Sequence, residues 1–171
     1  MKSLFLVVLS LSIAVAASAQ AVMTPRPLDP LAAETFEQAL AGSPLVRDLV
    51  RQLEASNLVV HIESSRTLPT GVSGTMRFVT SRGGYRYVRI TLAADGRREA
   101  RAAILGHELQ HACEIAASDA YDTDAVRRLY QAAGHQPTRE EDVFETRAAL
   151  MVERQVKAEL RTAEHADRGG K

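Results

Sequence analysis

The chain has 171 residues, 21 Lys and Arg against 21 Asp and Glu, and a single cysteine. That length supports one domain with a real core and is too short for two. The neutral balance leaves no electrostatic footprint for nucleic acid or a membrane surface, and one cysteine excludes an internal disulfide.

The N-terminus reads as an export signal. Lys2 supplies a positive start, "LFLVVLSLSIAVAA" is an uninterrupted apolar run, and Ala17-Ser18-Ala19 offers the small-x-small pattern of a cleavage site. The alternative, a membrane anchor, is disfavoured because the run falls short of the ~20 apolar residues a spanning helix needs. Residues 1–19 are therefore expected to be removed, leaving an exported protein, periplasmic or secreted, with no stable membrane anchor. No cysteine follows the cleavage region to carry a lipid.

Residues 20–30, "QAVMTPRPLDP", carry three prolines and predict an extended leader into one domain over 31–163. "LAAETFEQALAG" predicts a short helix closed by Gly42. "SPLVRDLVRQLEASN" predicts a second, with Ser43 as cap, Pro44 at the first helical position and Leu45, Val46, Leu49, Val50 and Leu53 as its apolar stripe. "LVVHIES" (58–64) alternates as a strand, with Leu58, Val60 and Ile62 on one face. "GTMRFVT" and "YRYVRITL" flank the turn-rich "SRGG" and predict a β-hairpin. The second of these strands is expected to form an exposed sheet edge. After Asp95-Gly96 the pattern turns helical, over about 97–117, 122–133 and 139–163, with residues 164–171 as a frayed tail. The order predicts an α+β fold: N-terminal helices, a small antiparallel sheet with a hairpin, then a central functional helix and C-terminal helices.

The helix over 97–117 contains "HELQH". Residues i and i+4 lie on one face a turn apart, so His107 and His111 can aim their imidazoles at one point, as a zinc ion requires. Glu108 sits about 100° round the helix, where it can take a proton from water activated by the metal. Leu105, Leu109, Ala112 and Ala116 form the opposite, core-facing side. Ala100, Ala103 and Ser118 share the histidine side and leave room for an approaching group. Gly106, unfavourable in a helix by ~1 kcal/mol against Ala, points to close packing. Cys113 reads as a small apolar helix residue.

Catalytic zinc sites use three protein ligands plus water, so a third ligand is needed. Glu145 is the first candidate. With it at zero degrees on the last helix, Ala149, Val152, Val156 and Ala163 fall within about 40° of it, so it lies in the buried stripe. An unpaired carboxylate there needs a counter-charge, either a metal or Arg97, Arg98 or Arg101. Arg147, Glu153, Arg154, Lys157 and Arg161 fall on the other side. Thr138 and Glu141 form a capping box. Glu114, seven residues after His107, is the second candidate, better placed to support a histidine. Asp119, Asp122 and Asp124 lie in the following connection, where capping explains at least one of them.

HExxH on one helix with a glutamate on a later one resembles the gluzincin type of zincin metallopeptidase, over roughly residues 58–160. The resemblance implies a zincin-like fold, Zn²⁺ held by His107, His111 and Glu145, Glu108 as general base, and a peptide or protein substrate laid along a sheet edge. The sequence departs from it at Ala149, where gluzincins often have an acidic residue. No oxyanion-stabilising residue is assigned; His135, Tyr121 and Tyr130 are in plausible regions. Two alternatives stay open: a non-catalytic exported zinc-binding protein, and a zinc hydrolase acting on another amide or ester.

Overall fold

The computed structural model describes residues 25–133 and 145–169. The segment expected to be an export signal, the 134–144 stretch with His135 and the expected Thr138/Glu141 capping box, and the last two residues lie outside them. The fold is α+β, in the order β1 (Arg26–Pro27), α1 (Pro30–Gly42), α2 (Pro44–Glu54), β2 (Leu58–Ser65), β3 (Gly74–Arg82), β4 (Tyr85–Ala93), α3 (Arg98–Ala116), α4 (Thr123–Ala133) and α5 (Arg147–Gly169). No described helix is long and apolar enough to cross a membrane.

The end of the proline-rich leader belongs to the fold. Arg26 and Pro27 pair with β2, and Asp29 caps α1 by accepting from the Ala32 amide at 2.9 Å. The same carboxylate accepts from the Ser64 amide and hydroxyl, each at 2.7 Å. One side chain thus ties the start of α1 to the end of β2. Ser43 caps α2 as expected, and its hydroxyl donates in turn to Glu159 of α5.

The sheet is mixed rather than wholly antiparallel, with strand order β1-β2-β4-β3. The hairpin is antiparallel, but β2 pairs with β4 in parallel. Gly83 and Gly84 both take positive φ, 60° and 82°, as the tight turn of a hairpin requires. The expected edge, "YRYVRITL", is instead the central strand β4. Its alternating Val88, Ile90 and Leu92 are fully buried, and only Tyr85 beside the turn is exposed. The edge is β3, where six of nine residues are polar or glycine and Phe78 alone is buried. An extra residue, Val79, bulges from it and is exposed.

Leu58, Val60 and Ile62 of β2 join Val88, Ile90 and Leu92 on one sheet face, which packs into the core with Val46, Leu49 and Leu53 of α2. α3 runs through the middle of this layer, between the sheet, α1, α2 and α5. It is buried nearly all round, as its lack of a clean polar face implies. Gly106 packs tightly on α5: a Cβ there would meet Val156 Cγ2 at 2.8 Å. The far end of α3 is held by Arg86, which is buried and donates to the carbonyls of Ile115 (2.7 Å), Ala116 (2.9 Å) and Ser118 (2.7 Å). A guanidinium satisfies both the open carbonyls and the negative end of the helix dipole.

The last helix starts later than expected. Thr146 caps it by accepting from the Ala149 amide, so Glu145 stands just ahead of α5 rather than in its stripe. Ala149, Val152, Val156 and Leu160 are the buried face, while Ala163 is exposed. α5 then continues as helix to Gly169, through most of the expected frayed tail.

Candidate metal centre

The HELQH turn lies in mid-α3, and His107, Glu108 and His111 are each 5–6 % exposed. The Nε2 atoms of His107 and His111 stand 3.2 Å apart. Glu145 reaches the same point from the chain ahead of α5, its Oε2 3.4 Å from His107 Nε2. One donor atom from each of the three lies within 4.8 Å of the others. None of the three arginines proposed as an alternative takes Glu145: Arg98 pairs with Glu34 at 3.2 Å, and Arg101 bonds Gly96. Glu145 Oε2 is buried without a hydrogen-bond partner.

Each histidine has a carboxylate behind it. Glu114 accepts from His111 Nδ1 at 2.9 Å and is fixed by the Thr146 hydroxyl at 2.7 Å. It therefore backs a histidine and does not join the three converging donors. Glu153 Oε2 lies 3.4 Å from His107 Nδ1, without hydrogen-bond alignment. Glu153 was assigned to the far side of the last helix. With Thr146 as cap, it is instead the neighbour of buried Val152 and half-buried against the site. Its place one residue from an apolar stripe position was the signal for it.

The electrostatics follow from burial. Desolvation pushes Glu108 up to about 7, with Glu145 and Glu153 adding repulsion and His111 pulling it back. Burial, with repulsion from His111, holds His107 below the ordinary imidazole value against the pull of Glu145 and Glu153. Burial opposes protonation of His111 too, but the Glu114 hydrogen bond and the surrounding carboxylates outweigh it and raise its pKa. Burial would raise Glu114, but hydrogen bonds from His111 and Thr146 hold it down. An acid poised near neutrality beside two imidazoles and a converging carboxylate can exchange a proton with water at physiological pH.

Edge strand β3 starts directly over this acid. A Cβ on Gly74 would lie 3.0 Å from Glu108 Oε1 and 2.4 Å from Ile104 Cγ2, so only glycine fits there. A groove of about 470 Å³ adjoins the site along Ala100, Ala103, Ile104 and Glu153, walled by the loop over 66–73. The small residues on the histidine side do leave space.

Comparison with known protein families, curated proteins and solved structures finds no match to this chain. The site therefore stands on its own geometry.

The remaining candidates have structural duties. The Tyr130 hydroxyl donates to the His111 carbonyl at 3.0 Å. Tyr121 lies over Arg86, 4.9 Å from the guanidinium carbon to the ring centre, at the far end of α3. Asp122 caps α4 by accepting from Ala125, and Asp124 pairs with Arg127. Cys113 is buried, with its thiol pushed up to about 12 by burial, and is inert at neutral pH.

Proposed function

We propose that the protein is an exported zinc-dependent metallopeptidase, with Zn²⁺ held by His107, His111 and Glu145 and Glu108 as general base. The observation that carries this reading is the convergence of two imidazole nitrogens and one carboxylate oxygen within 4.8 Å. Two histidines and a carboxylate are an established donor set for catalytic zinc, with a fourth position left for water or substrate. The orphaned Glu145 oxygen fits a cation too, because a buried carboxylate without a partner is costly.

A zinc ion held there supplies Lewis acidity, polarising a carbonyl and lowering the pKa of water toward ~7. The chain's own residues do the rest. Glu114 and Glu153 face the Nδ1 atoms of the two histidines and favour the tautomer that turns both Nε2 lone pairs to the same point. Glu108 accepts the proton of the attacking water and returns it to the leaving amine, the two transfers of a general base and acid. Glycine at position 74 lets the edge strand pass close over Glu108, and an edge strand can pair with an extended peptide backbone. That favours a peptide over another amide or ester.

The test pairs metal analysis with Glu108→Gln. Purified wild type is expected to hold about one zinc per chain and cleave a peptide library. Glu108→Gln should keep the metal and lose turnover by ~10²–10⁴, while His107→Ala loses both. Zinc without any Glu108-dependent cleavage would favour the binding-protein reading, which draws support from Tyr121 and Tyr130 being engaged elsewhere.

A further inference from the structure

Glu145 comes to the centre from the chain ahead of α5, outside the helix, and its side chain is 26 % exposed. The two histidines differ, since both are aimed by the regular turns of α3. A glutamate side chain has several torsions to settle, and a ligand has to be held within about 0.5 Å of its working position. Something beside Glu145 must do the holding.

The next residue, Thr146, is 6 % exposed, and its one hydroxyl makes two hydrogen bonds. The oxygen accepts from the Ala149 amide at 3.1 Å, which caps α5. The proton goes to Glu114 Oε1 at 2.7 Å. The other Glu114 oxygen accepts from His111 Nδ1 at 2.9 Å. A line of hydrogen bonds therefore runs from the first turn of α5 through Thr146 and Glu114 to His111. The line closes on itself across the centre, where Glu145 Oε2 lies 3.4 Å from His107 Nε2 and the two histidine Nε2 atoms stand 3.2 Å apart.

A helix cap needs only an acceptor, and an exposed capping hydroxyl gives its proton to water. This one is buried and gives it to a carboxylate 32 residues away on α3. Threonine is β-branched and stiff at χ1, so the hydroxyl keeps the aim that both bonds require. The packing of Gly106 on Val156 also joins α3 to α5, but apolar contact is non-directional. Hydrogen bonds fix a direction. We propose that Thr146 is a positioning residue for the metal centre, its hydroxyl locking Glu145, the ligand outside α3, to the Glu114–His111 pair on that helix. The proposal rests on the zinc reading, because it concerns the third ligand of the same site.

The test is a double-mutant cycle read as zinc affinity, by competition with a chromogenic chelator, in variants folded by circular dichroism. Thr146→Val keeps the shape without the hydroxyl and is expected to weaken zinc binding by ~10–100-fold. Thr146→Ser keeps both bonds and should stay within about threefold of wild type. In a Glu145→Gln background no carboxylate is left to position, so most of the Thr146→Val loss should vanish. A residue that served only the helix start would act equally in both backgrounds. Ser43→Ala, which removes the cap of α2, should lower the urea midpoint and leave zinc affinity unchanged. Undiminished affinity in Thr146→Val, equal losses in the two backgrounds, no rescue by serine, or an equal loss in Ser43→Ala would each overturn the proposal while the zinc reading stands. Wild type without zinc, or affinity indifferent to Glu145→Gln, would remove the third ligand itself and the proposal with it.

Discussion

Glu108 is packed between Gly74 of the edge strand and the two histidines, and its neighbours decide whether the proposed chemistry works. A methyl group at position 74 cannot fit without moving Ile104, Glu108 or the strand. Gly74→Ala is expected to destabilise the fold by ~1–3 kcal/mol, the usual effect of overpacking. It should also lower turnover by more than the unfolded fraction explains, measured as kcat at a temperature where the variant is folded by circular dichroism. Behind the histidines, Glu114→Gln and Glu153→Gln should each weaken zinc binding by ~10–100-fold in a competition assay with a chromogenic chelator. The Glu114 effect should be larger, because its contact is 2.9 Å and aligned, whereas that of Glu153 is 3.4 Å. Equal zinc affinity in both variants and wild type would remove the two carboxylates from the site.

At the scale of elements, α3 is pinned at two points. Gly106→Ala gains helix propensity of ~1 kcal/mol but drives a Cβ to 2.8 Å from Val156 Cγ2. Val156 is β-branched and stiff, so the overpacking term of ~1–3 kcal/mol wins. A net loss of about 1 kcal/mol is expected, read as a lower urea midpoint at unchanged slope. Arg86→Met strips its hydrogen bonds from buried carbonyls at the other end and should lose at least ~3 kcal/mol. These two residues also mark how far the sequence could be read. Close packing at Gly106 was legible, because a glycine in mid-helix needs a reason. Arg86 was not, since its partners, the Asn57 amide oxygen and backbone carbonyls at the end of α3, lie some thirty residues away on either side and leave no local pattern. Periodicity located the first four helices and the hairpin within a few residues but placed the start of the last helix eight residues early, and spacing brought His107 and His111 together. Strand order was not legible: alternation says which face of β4 is buried, not how many neighbours it has. Glu145 was aimed correctly for an incorrect reason, as Thr146 ends the helix before reaching it.

Across the whole molecule, the Asp29 carboxylate joins α1 to β2 and gives the fold an acid limb. Burial would raise its pKa, but donors from Ala32 and Ser64 outweigh that and hold it below the ordinary 3.8. A lowered acid stabilises the folded state fully above the unfolded pKa. That stability is lost as pH falls below about 3.8 and through the lower folded value. Asp29→Asn, which keeps a capping oxygen, should flatten the pH dependence of the urea midpoint in that range. Under the proposed zinc reading the metal acts on the same scale: at a hundred times its dissociation constant it should add ~2.7 kcal/mol to wild type and nothing to His107→Ala, seen as a shift in melting temperature.

Four carboxylates, Glu108, Glu114, Glu145 and Glu153, crowd two buried imidazoles. Without a cation, burial and the neighbouring carboxylates push the pKa of Glu108 up to about 7, and the Glu114 hydrogen bond raises that of His111, so both hold protons more readily. Loading the site therefore amounts to ion exchange, with protons leaving as the metal enters. Titrating zinc into weakly buffered protein near pH 6.5 should acidify the solution in proportion to occupancy, and apparent affinity should climb from pH 6 to 7.5. The protein would then carry its own acidity sensor, surrendering its ion in sour surroundings and reclaiming it at neutrality.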